Sequence, residues 1–231
     1  MGKINLSKRL KEVTKFTVQG KPIADIGSDH AYVPIYLIQH DMTTSAIAGE
    51  VAKGPYGHAI EIVEQYGLEN SVDVRFGDGL NVLKLNEDIG TIFICGMGGL
   101  LIAEIISAGK EKGLLPQEAR LVLQPNNNEE NLREYLAENY FQIVEESIVE
   151  DNRKMYEIIV AELSDIKPAY SKDELVFGPK LLERKNQSFL DKWRKELAKN
   201  ENILNNLKNT ENNEKIELLI NHINQIEKVI L

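Results

Sequence analysis

Asp25, Asp29 and His30 stand within six residues of one another in the run IADIGSDHAY, Ile23 to Tyr32. Two carboxylates and an imidazole on one turn can hold a cation, accept hydroxyl groups or take up a proton. A strand ending at Asp25, then Gly27, then helix-compatible residues is how a doubly wound α/β domain offers backbone N–H groups and a carboxylate to a nucleotide-like ligand. The turn departs from the GxGxxG pattern, because Asp25, Asp29 and His30 occupy positions where Gly or Ala would let a pyrophosphate approach. Carboxylates repel phosphate, so the turn suits a ligand that carries an ammonium and a sulfonium.

Further candidates follow at later strand ends. Glu50, with Val51 after it, closes a second apolar run 25 residues beyond Asp25, where a carboxylate can accept both hydroxyls of a ribose. Asp78, in GDGL, is placed to accept from an exocyclic adenine amine, and Gly77 and Gly79 permit the turn. In GMGGLL, Gly96, Met97 and Gly98 open a loop through which a planar base can approach the backbone, although Leu101 takes the slot of a third small residue. Each acidic residue alone reads equally well as a helix cap. Together, at successive strand ends, they read as one adenosine site. Gln124, Pro125 and Asn126 end a fifth run with two amides and no charge, suited to the Watson–Crick edge of a flipped adenine.

The elements that must position these residues follow from alternating strand-like and helical periods. Expected strands are Ile23–Gly27, Ser45–Val51, Val72–Gly77, Thr91–Met97 and Arg120–Pro125. Expected helices are Ala31–Gln39, Pro55–Tyr66, Gly99–Lys112 and Asn128–Asn139. Right-handed crossovers make the five strands parallel. Two more runs, Phe141–Val149 and Met155–Leu163, are joined by a link too short for a crossover helix, so they pair antiparallel. A parallel sheet closed by one reversed strand is the arrangement of S-adenosylmethionine-dependent methyltransferases rather than of dinucleotide dehydrogenases.

After Leu163 the pattern changes. A linker leads to Gly178 and Pro179, where a helix is expected to begin. Apolar residues then recur at Leu182, Phe189, Trp193, Leu197, Leu204 and Leu207, and again at Ile216, Leu219, Ile223, Ile226 and Ile230. The second set, spaced 3, 4, 3, 4, is a coiled-coil seam. The Asn-rich break Asn205–Asn213 makes an antiparallel hairpin of the two helices, with Trp193 in its seam. The expected division is residues 1–165 for the α/β domain and 166–231 for the helical one.

The net charge of the 231 residues is −9. Residues 1–165 hold 15 Lys and Arg against 26 Asp and Glu, whereas residues 166–231 hold 12 against 10. Lys180, Arg184, Lys185, Lys192, Arg194, Lys195 and Lys199 give the first helix of the hairpin a basic face that can track RNA phosphates. No apolar run suffices for a membrane span and no signal peptide is legible, so a cytoplasmic protein is expected. Cys95, the one cysteine, reads as a buried thiol, and without a CxxC pair no metal is expected. His40, His58 and His222 read as surface residues.

The motifs ADIGSDHAYVP, GEV with GP shortly after, GDGL, CGMGG with LI following, and LQPN, in that order, resemble the bacterial tRNA adenine-22 N1-methyltransferases, and the likeness continues into GPKLLERKN at the helical segment. The resemblance implies a Rossmann-like class I methyltransferase fold. It implies S-adenosylmethionine as cofactor, in a pocket of Asp25, Gly27, His30, Glu50, Val51, Asp78, Gly79, Gly96, Met97 and Gly98, with Arg9 reaching the donor's carboxylate. It implies tRNA as the partner, bound by the helical domain, with the chain a monomer or weak dimer. Asp29, on the active-site turn and not needed for the ribose, is the expected catalytic carboxylate; its rival role is to cap the helix near Ala31. Two other functions fit some of the residues. A small-molecule methyltransferase with an oligomerising hairpin suits the acidic surface, and a metal-dependent hydrolase or scaffold could use Asp25, Asp29 and His30 as ligands.

Overall fold

The computed structural model describes residues 2–207 and 213–230, which form two compact units, Met1–Ala169 and Tyr170–Leu231. The first unit holds one sheet of seven strands: β1 (Ile23–Ile26), β2 (Ala46–Glu50), β3 (Val72–Phe76), β4 (Thr91–Met97), β5 (Arg120–Pro125), β6 (Phe141–Asp151) and β7 (Lys154–Leu163). Their order is β3-β2-β1-β4-β5-β7-β6. The first five strands are parallel, and β7 runs antiparallel to both β5 and β6. β6 therefore points the same way as the first five, and β7 is the one reversed strand.

Five helices accompany the strands: α1 (Lys8–Thr14), α2 (Tyr32–Gln39), α3 (Lys53–Tyr66), α4 (Gly99–Glu111) and α5 (Glu129–Glu138). Every residue of β1 and β2 is buried. Strands covered by helices on both faces need apolar residues without alternation, and IADI and AIAGE have that character. Ile92, Phe93 and Ile94 of β4, Leu121, Val122 and Leu123 of β5, and Ile102 and Ile106 of α4 are fully buried in the core. Each such side chain contributes roughly 1.5–3 kcal/mol. α5 is tied to the antiparallel pair by charge as well. Arg133 is wholly buried, its Nε donating to Glu146 Oε1 at 2.8 Å and its Nη2 to Glu157 Oε2.

The strand order reverses between β1 and β4, and the crevice beyond the carboxyl ends of those strands is the natural ligand site of such a sheet. The turns after Asp25 and Cys95 both leave from that edge.

The second unit corrects two expectations. Its supposed linker contains a helix, α6 (Lys172–Phe177), fixed by a capping box in which Ser171 Oγ accepts from Glu174 N and Glu174 accepts from Ser171 N. The single helix expected from Pro179 is two, α7 (Pro179–Arg184) and α8 (Gln187–Leu207), because Lys185 adopts a left-handed conformation at φ 42°. α9 (Asn213–Ile230) packs along α8. Phe189 and Trp193 of α8 and Ile223, Ile226 and Val229 of α9 are buried, so Val229 rather than Ile230 completes the seam. Trp193 meets the Phe177 ring edge-on at 4.5 Å, as a seam residue does. Residues 208–212 of the expected Asn-rich break lie outside the described residues. Among the described residues no helix is long and apolar enough to cross a membrane.

Candidate active site

The turn after β1 carries its backbone strain at Asp29, His30 and Ala31, with Ser28 in an ordinary right-handed conformation. Gly27 has φ 71°, a backbone conformation that favours glycine, and a Cβ there would lie 2.2 Å from Met97 Cε, so a larger residue would also push the end of the Met97 side chain aside. Asp29, His30 and Ala31 follow with φ of 20°, 72° and 56°. Three successive non-glycine residues at positive φ are costly and are found where a surrounding structure imposes them, commonly at functional sites. They also delay the helix, so α2 starts at Tyr32 rather than Ala31. Asp29 is exposed and makes no capping bond; its Oδ1 lies 3.6 Å from His30 Nε2.

His30 is set by rings that the sequence did not pair with it. Its imidazole meets Tyr32 at 5.1 Å and His58 edge-on at 4.5 Å, and its Nδ1 is buried with no partner. His58, expected as a plain surface residue, belongs to this cluster. Its position near the start of α3 was visible, but the packing of α3 on the turn is non-local. His222 is likewise more than surface, its ring 6.4 Å from Trp193, whereas His40 is half-buried and stacks on Tyr36.

Asp25 is buried at the end of β1 and accepts from Ser28 Oγ at 2.6 Å. Burial pushes its pKa up to about 6, the Ser28 hydroxyl pulls it partly back, and the charge of Glu50 adds to the rise. Glu50 is also buried, and its Oε1 accepts from the backbone N–H groups of Val51 and Ala52 at 2.9 and 3.0 Å. Val51 itself is 55% exposed at the crevice edge. Asp78 is exposed before Gly79, and a hollow of about 180 Å³ beside them is lined by Leu101, Ile105 and Ala108. A larger cavity of about 370 Å³, lined by Leu114, Phe141 and Leu163, lies at the start of β6, away from these groups.

The loop from Gly96 to Gly99 is zipped to the segment after β5. Gly96 N donates to Gln124 Oε1 at 3.1 Å, Asn126 Nδ2 donates to Gly96 O at 2.7 Å, and Gly99 N donates to Asn127 O at 2.9 Å. A Cβ on Gly98 would sit 3.0 Å from Asn127 Oδ1. The glycines therefore serve loop-to-loop docking as well as access. Arg9 enters here from α1: its Nη1 donates to Gln124 Oε1, and its guanidinium lies 5.3 Å from the centre of the Tyr156 ring.

Gln124 is thereby corrected. Its oxygen accepts from Arg9 and Gly96, and its Nε2 donates to Pro125 O at 2.7 Å and Asn126 Oδ1 at 3.1 Å. Fully buried and bonded at both ends of its amide, it fastens Arg9 and the Gly96 loop and has no edge to offer a base. Pro125 is buried too; Asn126 is exposed at the rim. Cys95 is half-buried rather than buried, with burial and the nearby Asp25 pushing its thiol pKa up.

Asp25 turns to Ser28 while Asp29 turns to His30, and among the described residues no group of three or more His, Cys, Asp or Glu could hold a metal ion. In the second unit Lys180, Arg184 and Lys185 lie on and after α7, and Lys192, Arg194 and Lys195 on α8. Lys185 and Arg194 are exposed, Lys192 Nζ stands 5.0 Å from the Trp193 ring centre, and Lys199 pairs with Glu196.

With this geometry in place, comparison with known proteins is specific. Residues 23–228 match the family model of tRNA (adenine(22)-N(1))-methyltransferase. The tRNA (adenine(22)-N(1))-methyltransferase of Bacillus subtilis is 40% identical over 238 residues, covering 100% of this chain and 99% of that one. The structure of Sp1610 from Streptococcus pneumoniae in complex with S-adenosyl-L-methionine is 41% identical at a TM-score of 0.89, covering 98% of this chain and all of that one. TrmK of M. capricolum in complex with S-adenosyl-homocysteine is 31% identical at a TM-score of 0.84, covering 97% of each.

Proposed function

The chain belongs to the tRNA (adenine(22)-N(1))-methyltransferase family, and on that premise we propose that it methylates N1 of adenine 22 in tRNA with S-adenosylmethionine. The observation that carries the reading is the row of carboxylates Asp25, Glu50 and Asp78 at the carboxyl ends of three adjacent strands, β1, β2 and β3. Such a row repels phosphates and accepts from ammonium, hydroxyl and amine groups, which is the donor's chemistry. A buried Asp25 pushed up to about 6 gains most from a cation beside it.

When bound, the donor supplies a methyl group on a positively charged sulfur. On this reading Asp25 faces its cationic amino-acid portion, Glu50 its ribose hydroxyls and Asp78 its adenine amine. Arg9, steered by Gln124 and Tyr156, gives its carboxylate a cation, while Val51, Met97 and the glycines Gly27, Gly79, Gly96 and Gly98 shape the walls. Adenine N1 attacks with a lone pair and has no proton to lose first, so no general base is needed. Positive charge passes to the base as the methyl group is transferred. The protein's work is in-line positioning and stabilisation of that charge. Asp29, exposed on the strained turn and oriented by His30, is the carboxylate for it. Asn126 at the rim offers an amide to the flipped base, and Lys180, Arg184, Lys185, Lys192, Arg194 and Lys195 engage tRNA phosphates. The chain acts in the cytoplasm as a monomer or weak dimer.

The test uses tRNA transcripts with A22 or G22 and a donor labelled on its methyl group. Label should enter the first transcript and not the second. Donor binding without labelling of either would support a small-molecule substrate instead.

A further inference from the structure

We propose that the β6–β7 hairpin tip, with Lys8 beside it, is a phosphate-backbone contact for the RNA substrate on the otherwise acidic first unit. This inference rests on the proposed function above. β6 is parallel to β1–β5, so its turn lies at the same edge of the sheet as Asp25, Glu50 and Gly96. Leu123 of β5 pairs with Ile159, which puts Pro125, the last residue of β5, level with Glu157. Lys154 to Tyr156 therefore continue past the end of β5, by about 10 Å at about 3.3 Å per residue. The hairpin stands above the crevice edge, and its tip is Asn152, Arg153 and Lys154, all exposed.

Three features make this tip a contact rather than an ordinary turn. Asp151 pairs with Lys154 across a two-residue loop, and Asn152 and Arg153 have φ of 49° and 66°. Such turns favour Asn followed by Gly, so the arginine sits where glycine would be the less strained residue. Two acids precede the turn, Asp151 and the exposed Glu150, and the one beside the tip is held by the helix end: Asp151 Oδ2 accepts from Arg9 N at 3.1 Å, and that bond and the charges of Arg9 and Lys8 hold its pKa below the usual carboxylate range. The same helix end presents exposed Lys8 next to the tip. Finally, the tip is joined to the site through Arg9, whose backbone holds Asp151 and whose guanidinium reaches Gln124. Three cations at one edge fit a nucleic-acid backbone, which carries no sequence information and is read by charge.

The full-length protein and Arg153→Ala/Lys154→Ala are compared in binding tRNA across a salt series, with donor binding and thermal melts alongside. Two lost phosphate contacts should weaken tRNA binding roughly ten- to fortyfold near about 0.1 M salt, with little loss near 1 M, and should flatten the log–log salt slope by about 1.5. Donor binding should not change. Arg153→Gly should weaken tRNA binding while melting no lower than wild type, because glycine suits the turn; this separates lost contact from lost fold. Unchanged tRNA affinity and slope in a variant that folds would overturn the proposal while leaving the methyltransferase reading intact. Failure of the wild-type protein to bind or methylate tRNA would overturn both.

Discussion

Replacing Asp25 by Asn separates the demands of folding from those of ligand binding. The carboxyl moves from an ordinary 3.8 to about 6 in the fold, chiefly because burial disfavours its charge. With the pKa raised, the folded protein keeps a proton that the unfolded chain has released. Stability is therefore lost as pH rises from about 4 to about 6, and stays lost above. At about 1.4 kcal/mol per unit, roughly two units amount to about 3 kcal/mol. Asparagine removes the charge but accepts a weaker bond from Ser28, which returns about 1 kcal/mol. The ligand-free variant should thus be about 2 kcal/mol more stable than wild type at pH 8, a rise of roughly 4–8 °C in melting temperature for a chain of this size. At pH 4 the advantage should vanish. Donor affinity, measured by calorimetry at pH 8, should fall about tenfold or more, since an ion pair with the donor's ammonium is gone. A variant that melts lower than wild type at pH 8, or whose offset is the same at both pH values, would refute the assignment of Asp25 as a buried, charge-starved carboxylate.

Other perturbations probe separate parts of the molecule. Asp29→Ala should lower single-turnover methylation by roughly 10²-fold while tRNA affinity holds, because an exposed side chain with no structural bond beyond His30 is removed; unchanged turnover would reassign the turn's chemistry. Lys185→Glu with Arg194→Glu should weaken tRNA binding in a salt-sensitive way and spare donor binding; equal loss of both with a lowered melt would point to misfolding, and unchanged tRNA affinity in a protein that melts as wild type would refute the basic-face contact. Arg133→Ala should cost about 3–5 kcal/mol in urea unfolding, since it strands Glu146 and Glu157 in the core. A loss below about 1 kcal/mol would show that those carboxylates are protonated or solvated.

What the sequence made legible was local. Uninterrupted apolar runs such as IADI and TIFIC, ended by glycine, marked the parallel strands, and the short link Glu150–Lys154 marked the reversed one. Carboxylates at strand ends could be read because the edge from which a parallel strand leaves is known once the strand is. Non-local bonding could not. Gln124 looked like a free amide, but its partners come from α1 and the Gly96 loop, 115 and 28 residues away. His58 could not be paired with His30 without the docking of α3 on the turn. α6 was legible in principle, since Ser171 and Glu174 form the S-x-x-E capping pattern, but Pro168 and the polar run before it pointed to a loop. The break at Lys185 had a weak signal in the next residue: Asn186 is an N-cap type, and its Oδ1 accepts from Phe189 N at 3.0 Å to start α8.

Mapping the modification shows whether the protein places a methyl group on N1 of adenine 22. Fully unmodified tRNA is incubated with the protein and S-adenosylmethionine, digested, and read by mass spectrometry of its fragments together with reverse-transcription stops. The expected result is one added methyl group, a stop at position 22 and 1-methyladenosine in that fragment. A methyl group at another atom or another position, or none in a protein that binds the donor, would contradict it.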